Sequence, residues 1–177
     1  MLFPYRTSAT SATFAALVAA GFLVGCGASQ PMPNVAAPSA AGAAYRLAAE
    51  PAGAKGVKEI RADAKDEEEI TLVGRIGGDP NPWVEGQAAF VVMDSVLKPC
   101  DADEGCPTPW DCCCDPNLSP ETKALVKVVG EDGKPLAVDA RKLLGLKELQ
   151  TVVVHGRAKR DEAGNLTVLA DGVFVRN

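Results

Sequence analysis

The 177-residue chain contains a single histidine, His155, and aromatic residues make up only 5% of it. One imidazole excludes multi-histidine metal sites. His155 sits in an apolar, strand-like run beside Gly156, with no serine or cysteine close in sequence, and reads as a packed or rim residue. The chain has no nucleophile elbow, no phosphate loop, no HExxH and no CxxC pair. These absences point to a protein that is not an enzyme and has no catalytic residues. Positive charge is also scarce: 18 Lys and Arg face 23 Asp and Glu, a net charge of −5. That balance repels phosphate backbones and anionic headgroups, so no nucleic-acid partner is expected.

Only one run is long and apolar, Phe14 to Val24. It is too short for a comfortable membrane span and has the length of an export signal. It ends in Leu23-Val24-Gly25-Cys26. This tetrapeptide, placed directly after the run, resembles the lipobox of bacterial lipoproteins. The resemblance implies that residues 1–25 are removed and that Cys26 carries the lipid as the new N-terminus. It also implies a membrane partner, reached through that lipid, and a cell-envelope location facing the periplasm or at the outer membrane. Gly27, standing where an Asp would mark inner-membrane retention, favours the outer membrane. The lipid contributes about 0.8 kcal/mol per buried methylene. An exported chain meets an oxidising compartment, where disulfides persist.

Residues 26–57 are rich in Ala, Pro, Gly and Ser and read as a flexible, disordered tether. The domain is expected over 58–177. It opens with the charged segment Lys58 to Glu69, a short helix or a solvated lead-in. Strands follow at Ile70–Ile76, Ala88–Met93, Lys123–Val129, Thr151–Arg157 and Leu166–Val175, with one short helix from Val138 to Gln150 capped by Asp139. The turn between the last two strands lies at Asp161 to Asn165. The class is therefore all-β with one short helix. The order, three strands, a helix and two strands, resembles the OB-fold, a five-stranded Greek-key barrel. Leu72-Val-Gly-Arg75 and Val154-His-Gly-Arg157 repeat one pattern. In an OB barrel the first and fourth strands are neighbours, and glycine permits the sharp bend of the first.

A cysteine-rich insert, 98–120, interrupts strands two and three. Setting Cys26 aside, it holds Cys100, Cys106, Cys112, Cys113 and Cys114. Structural zinc sites usually use C-x2-C pairs, which are absent here. Cys112 and Cys114 form a C-x-C that can take zinc or copper(I), but adjacent cysteines point in different directions, so all three cannot easily share one ion. The oxidising compartment favours disulfide staples tying Cys100 and Cys106 to the 112–114 cluster, each worth about 3 kcal/mol in the chain-entropy model. Five is odd, so one thiol is left to stay free, pair between molecules or bind something. No cofactor is expected under this reading; zinc or copper at the insert is the alternative.

Asp101, Asp103, Glu104, Asp111 and Asp115 decorate the insert. They do not follow an EF-hand pattern and read as solvated. Trp83 and Trp110 each follow a proline. Both are candidates to face a ligand, although packing is the preferred role. The expected function is a lipid-anchored, non-enzymatic binding or structural module that contacts an envelope protein or a small ligand. The alternative is an envelope metal-binding or thiol-redox protein that uses the insert.

Overall fold

The computed structural model describes residues 37–176. Cys26, the signal segment and the first part of the tether lie outside the described residues. The six strands are β1 (Lys55–Gly56), β2 (Glu69–Ile76), β3 (Ala89–Met93), β4 (Lys123–Val128), β5 (Thr151–Arg160) and β6 (Leu166–Val175). The two helices are α1 (Val57–Asp63) and α2 (Ala140–Leu144).

The sheet order is β2-β3-β4-β6-β5, and β5 pairs back onto β2, closing a five-stranded barrel. All its pairings are antiparallel except β4 with β6. With α2 between β4 and β5, this is the OB-like Greek-key barrel expected from element order. The barrel forms because β2 and β4 alternate strictly between outward and buried side chains. Leu72, Ile76, Phe90, Val126, Val154 and Val168 are fully buried within it. Burial of each such side chain contributes roughly 1.5–3 kcal/mol. The shared glycine pattern has a steric cause in β5. A bulge falls between His155 and Gly156, and a Cβ on Gly156 would lie 2.2 Å from the Leu169 carbonyl oxygen of β6.

Two expectations need correction. The helix expected over Val138 to Gln150 stops at Leu144, because Gly145 turns left-handed at φ 67° and its N–H returns to the Arg141 carbonyl. Asp139 does cap it, accepting from the Arg141 amide. The tether is the second. From Ser39 onward it lies along the barrel as a strap. Ser39 N–H donates to Leu143 O (2.9 Å), Leu47 N–H to Val173 O (3.0 Å) and Val173 N–H to Tyr45 O (2.8 Å). Tyr45 packs on the core, and the Arg46 guanidinium caps α2 through Leu144 O at 2.7 Å. β1 then runs parallel to Leu72 and Val73 of β2. Composition alone did not mark these residues, because their partners are backbone atoms far away in the chain.

α1 starts immediately after β1. Asp94, buried just beyond β3, accepts from the Lys58 amide at 2.9 Å and so satisfies one of the free donors at the helix start.

Candidate thiolate site

The insert leaves β3 at Met93 and rejoins the barrel at Lys123. It sits on a second, small core made of Met93, Leu97 and Cys112, flanked by Leu118 and Leu149. Its rim is fixed to the end of β2. Gly78 N–H donates to Trp110 O at 2.8 Å, and the Trp110 indole donates to Pro80 O at 3.1 Å. Gly77 has φ 150°, and a Cβ there would lie 2.4 Å from Trp110 O. Trp110 is therefore a clamp, half-buried against the β2–β3 loop. Trp83, the other ligand-facing candidate, is only 5% exposed. It packs against Phe90, lies 5.4 Å below the Arg141 guanidinium and donates to Glu148 at 2.6 Å. Of the two roles expected of it, Trp83 takes the packing one.

Short 3-10 turns fold the spacers between the cysteines. Cys100 and Cys106 flank the turn Ala102–Glu104, which ends at left-handed Gly105. Glu104 folds back to accept from the Asp101 amide at 2.7 Å. A second turn, Pro109–Asp111, runs into Cys112, which adopts the left-handed conformation at φ 55°. That reversal sends the Cys112 side chain down into the small core and Cys113 and Cys114 outward.

The result separates the five thiols into four and one. The Cys106 sulfur lies 3.6 Å from that of Cys113 and 3.5 Å from that of Cys114. Cys113 lies 3.8 Å from both Cys100 and Cys114. All four Sγ atoms fall within 4.8 Å of one another. These separations are far longer than a disulfide bond of about 2.05 Å. All five cysteines are free thiols, so the expected staples are corrected. A disulfide joins sulfurs in pairs, whereas here one sulfur has several equivalent neighbours. Cys100 is buried, Cys106 half-buried, and Cys113 and Cys114 are exposed.

The thiols differ in acidity. The Cys114 amide donates to the Cys100 sulfur, which holds Cys100 below the usual thiol value. Hydrogen bonding with Cys106 raises both Cys113 and Cys114, the latter to about 12. Burial raises Cys112 to about 11.

Asp111 supports the cluster from beneath and is a residue sequence reading assigned to solvent. It is 8% exposed. One carboxylate oxygen accepts from the Thr108 hydroxyl at 2.6 Å, and the other accepts from the Cys113 amide at 2.9 Å. The Thr108 hydroxyl is the main reason its carboxyl stays below the usual range. The Cys100 thiol lies 4.0 Å from the same carboxylate. Thr108-x-x-Asp111 is a hydroxyl–carboxylate spacing that could have flagged it. Asp101, Asp103 and Glu104 are exposed, as expected, while Asp115 accepts from the Lys98 amide at 2.8 Å.

His155 joins no thiol. It stands on β5 between Asp171 (2.7 Å) and Glu69 (3.1 Å), linking three adjacent strands. The Asp171 hydrogen bond is the main cause of its raised pKa.

No protein-family model and no curated protein matches this chain.

Proposed function

We propose that this chain is a lipid-anchored, non-enzymatic module of the cell envelope whose barrel is a rigid mount and whose cysteine insert is its binding element. The observation that carries the reading is the convergence of four unbonded sulfurs on an insert clamped to the end of β2. Thiols brought together in this way bind soft ligands or exchange with other thiols; they do not merely staple a loop. The anchoring rests on Leu23-Val24-Gly25-Cys26 behind its apolar run. Among the described residues, no helix is long and apolar enough to cross a membrane. The acidic balance and the burial of Trp83 both count against a nucleic-acid platform, which needs basic charge and open aromatics.

The test is a thiol count on the full chain purified from envelopes and denatured in alkylating reagent. Alkylation of all five insert cysteines before any reduction supports the reading; a disulfide among them overturns it. Metabolic labelling with palmitate tests the anchor. Label that survives Cys26→Ser would remove the lipid assignment.

A further inference from the structure

The chemistry of the four sulfurs can be taken further, resting on the reading that the insert is the binding element. We propose that Cys100, Cys106, Cys113 and Cys114 hold one zinc ion in a tetrahedral all-thiolate site, with Cys112 excluded from it.

Geometry is the first argument. Four sulfurs each about 2.3 Å from one ion, tetrahedrally arranged, stand about 3.8 Å from one another. Four of the six separations, those of Cys113 from the other three and of Cys106 from Cys114, run from 3.5 to 3.8 Å. The other two, Cys100 to Cys106 and Cys100 to Cys114, stay within 4.8 Å, so the four donors surround a centre close to the size one small ion needs. Iron–sulfur clusters divide their four cysteines among two or four irons, which spreads the set further apart than four sulfurs sharing one ion. Copper(I) is satisfied by fewer thiolates and would leave at least one of the four idle.

The second argument is the support around the donors. The Cys100 amide donates to Pro109 O at 3.0 Å, which ties Cys100 to the turn that leads into Cys113 and Cys114. Asp111, buried and doubly hydrogen-bonded, fixes the Cys113 amide and hence the Cys113-Cys114 pair. Asp101, Glu104 and Asp115 line the cleft of about 320 Å³ that opens on Cys100 and Cys114, giving a cation an acidic approach.

The third argument is the left-handed turn at Cys112. It lets two adjacent cysteines ligate by sending the preceding one away. The missing C-x2-C spacing is replaced by the two 3-10 turns, which draw Cys100 and Cys106 toward Cys113 and Cys114.

Binding is a proton exchange. Zn²⁺ and four Cys–SH give Zn(S–Cys)₄²⁻ and four protons, with no change of oxidation state. A redox-silent ion suits a site with Cys113 and Cys114 exposed, because it occupies the sulfur lone pairs that an oxidant would attack.

The experiment uses the full chain, purified in detergent without chelator, with metal content measured beside the thiol count. About one zinc per chain is expected. Cys100→Ser, Cys106→Ser, Cys113→Ser and Cys114→Ser should each weaken zinc binding more than about 100-fold, while Cys112→Ala keeps it at full stoichiometry. Far-ultraviolet circular dichroism of each variant checks that the barrel remains folded. Cobalt(II) substitution reads the ligand set directly, with an all-thiolate tetrahedral spectrum expected in the wild type and in Cys112→Ala. Stoichiometric iron or copper in place of zinc, or loss of zinc in a folded Cys112→Ala, overturns the proposal. Five free thiols with no zinc bound, even after zinc is added, also overturns it while leaving the insert as the binding element. A disulfide would instead fail both readings.

Discussion

The Cys112 thiol points at the Met93 thioether, 3.2 Å away, and turns its back on the four sulfurs of its neighbours. Cys112 is fully buried, and burial raises its pKa to about 11, so it stays protonated at neutral pH. Of five insert cysteines it is the odd one, and it acts as a small core residue. Cys112→Ala should cost about 1–2 kcal/mol of stability through the void it leaves beside Met93 and Leu97. Thermal unfolding measures this. Timed alkylation of the native protein should modify Cys112 last of the five.

Asp111→Asn keeps the size of the side chain but replaces one carboxylate oxygen with a donor. The remaining oxygen can still accept from the Cys113 amide, but the Thr108 hydroxyl must turn from donor to acceptor, and both bonds lose their charge. A loss of about 1–3 kcal/mol is expected, confined to the insert. Hydrogen exchange should show the Cys113 amide losing protection while the β5 and β6 amides keep theirs.

Gly77→Ala should be the most damaging change at the clamp. Its φ of 150° is unfavourable for a side chain, and the added Cβ would meet Trp110 O at 2.4 Å. Strain of about 1–3 kcal/mol is expected, with the insert lifting from the end of β2. Quenching of Trp110 fluorescence by acrylamide should rise, while Trp83, buried in the barrel, stays shielded.

His155 gives a pH signature. Its folded pKa lies above the unfolded value of about 6.5, chiefly through Asp171. A raised value means that the charged form is favoured in the folded protein. The contribution is fully present below about pH 6.5 and is lost as pH rises through the folded value. Asp171 and Glu69 are largely exposed, so the contribution is under about 1 kcal/mol. His155→Gln should therefore lower the melting temperature at pH 5.5 and leave it unchanged at pH 9.

The barrel was legible because its strands carry β-branched and apolar runs bounded by turn residues, as at Ile70–Ile76 and Lys123–Val128. Their strict alternation appears only in the fold, as outward and buried side chains. The fold order followed from the strands, but the end of α2 at Gly145 was missed, because Leu146 and Leu149 continue the apolar pattern past it. The strap was not legible, since Tyr45, Arg46 and Leu47 find their partners on α2 and β6. The insert was legible only in part. That three adjacent cysteines cannot all face one point follows from backbone geometry. Which one turns away depends on the φ of Cys112, set by the preceding turn and the small core beneath it. Asp111 was misplaced because a loop residue's burial is decided by what packs over it.

The strap has a mechanical meaning. Any pull on the chain from its N-terminal side is taken up first by the bonds of Ser39 and Leu47, then by β1 along the edge of β2. Only after these yield does force reach the closed ring of strands, whose long β2–β5 and β5–β6 ladders share the strain over many hydrogen bonds. Residues 39–56 would therefore serve as a fuse, giving way under tension while the barrel and its clamped insert stay intact.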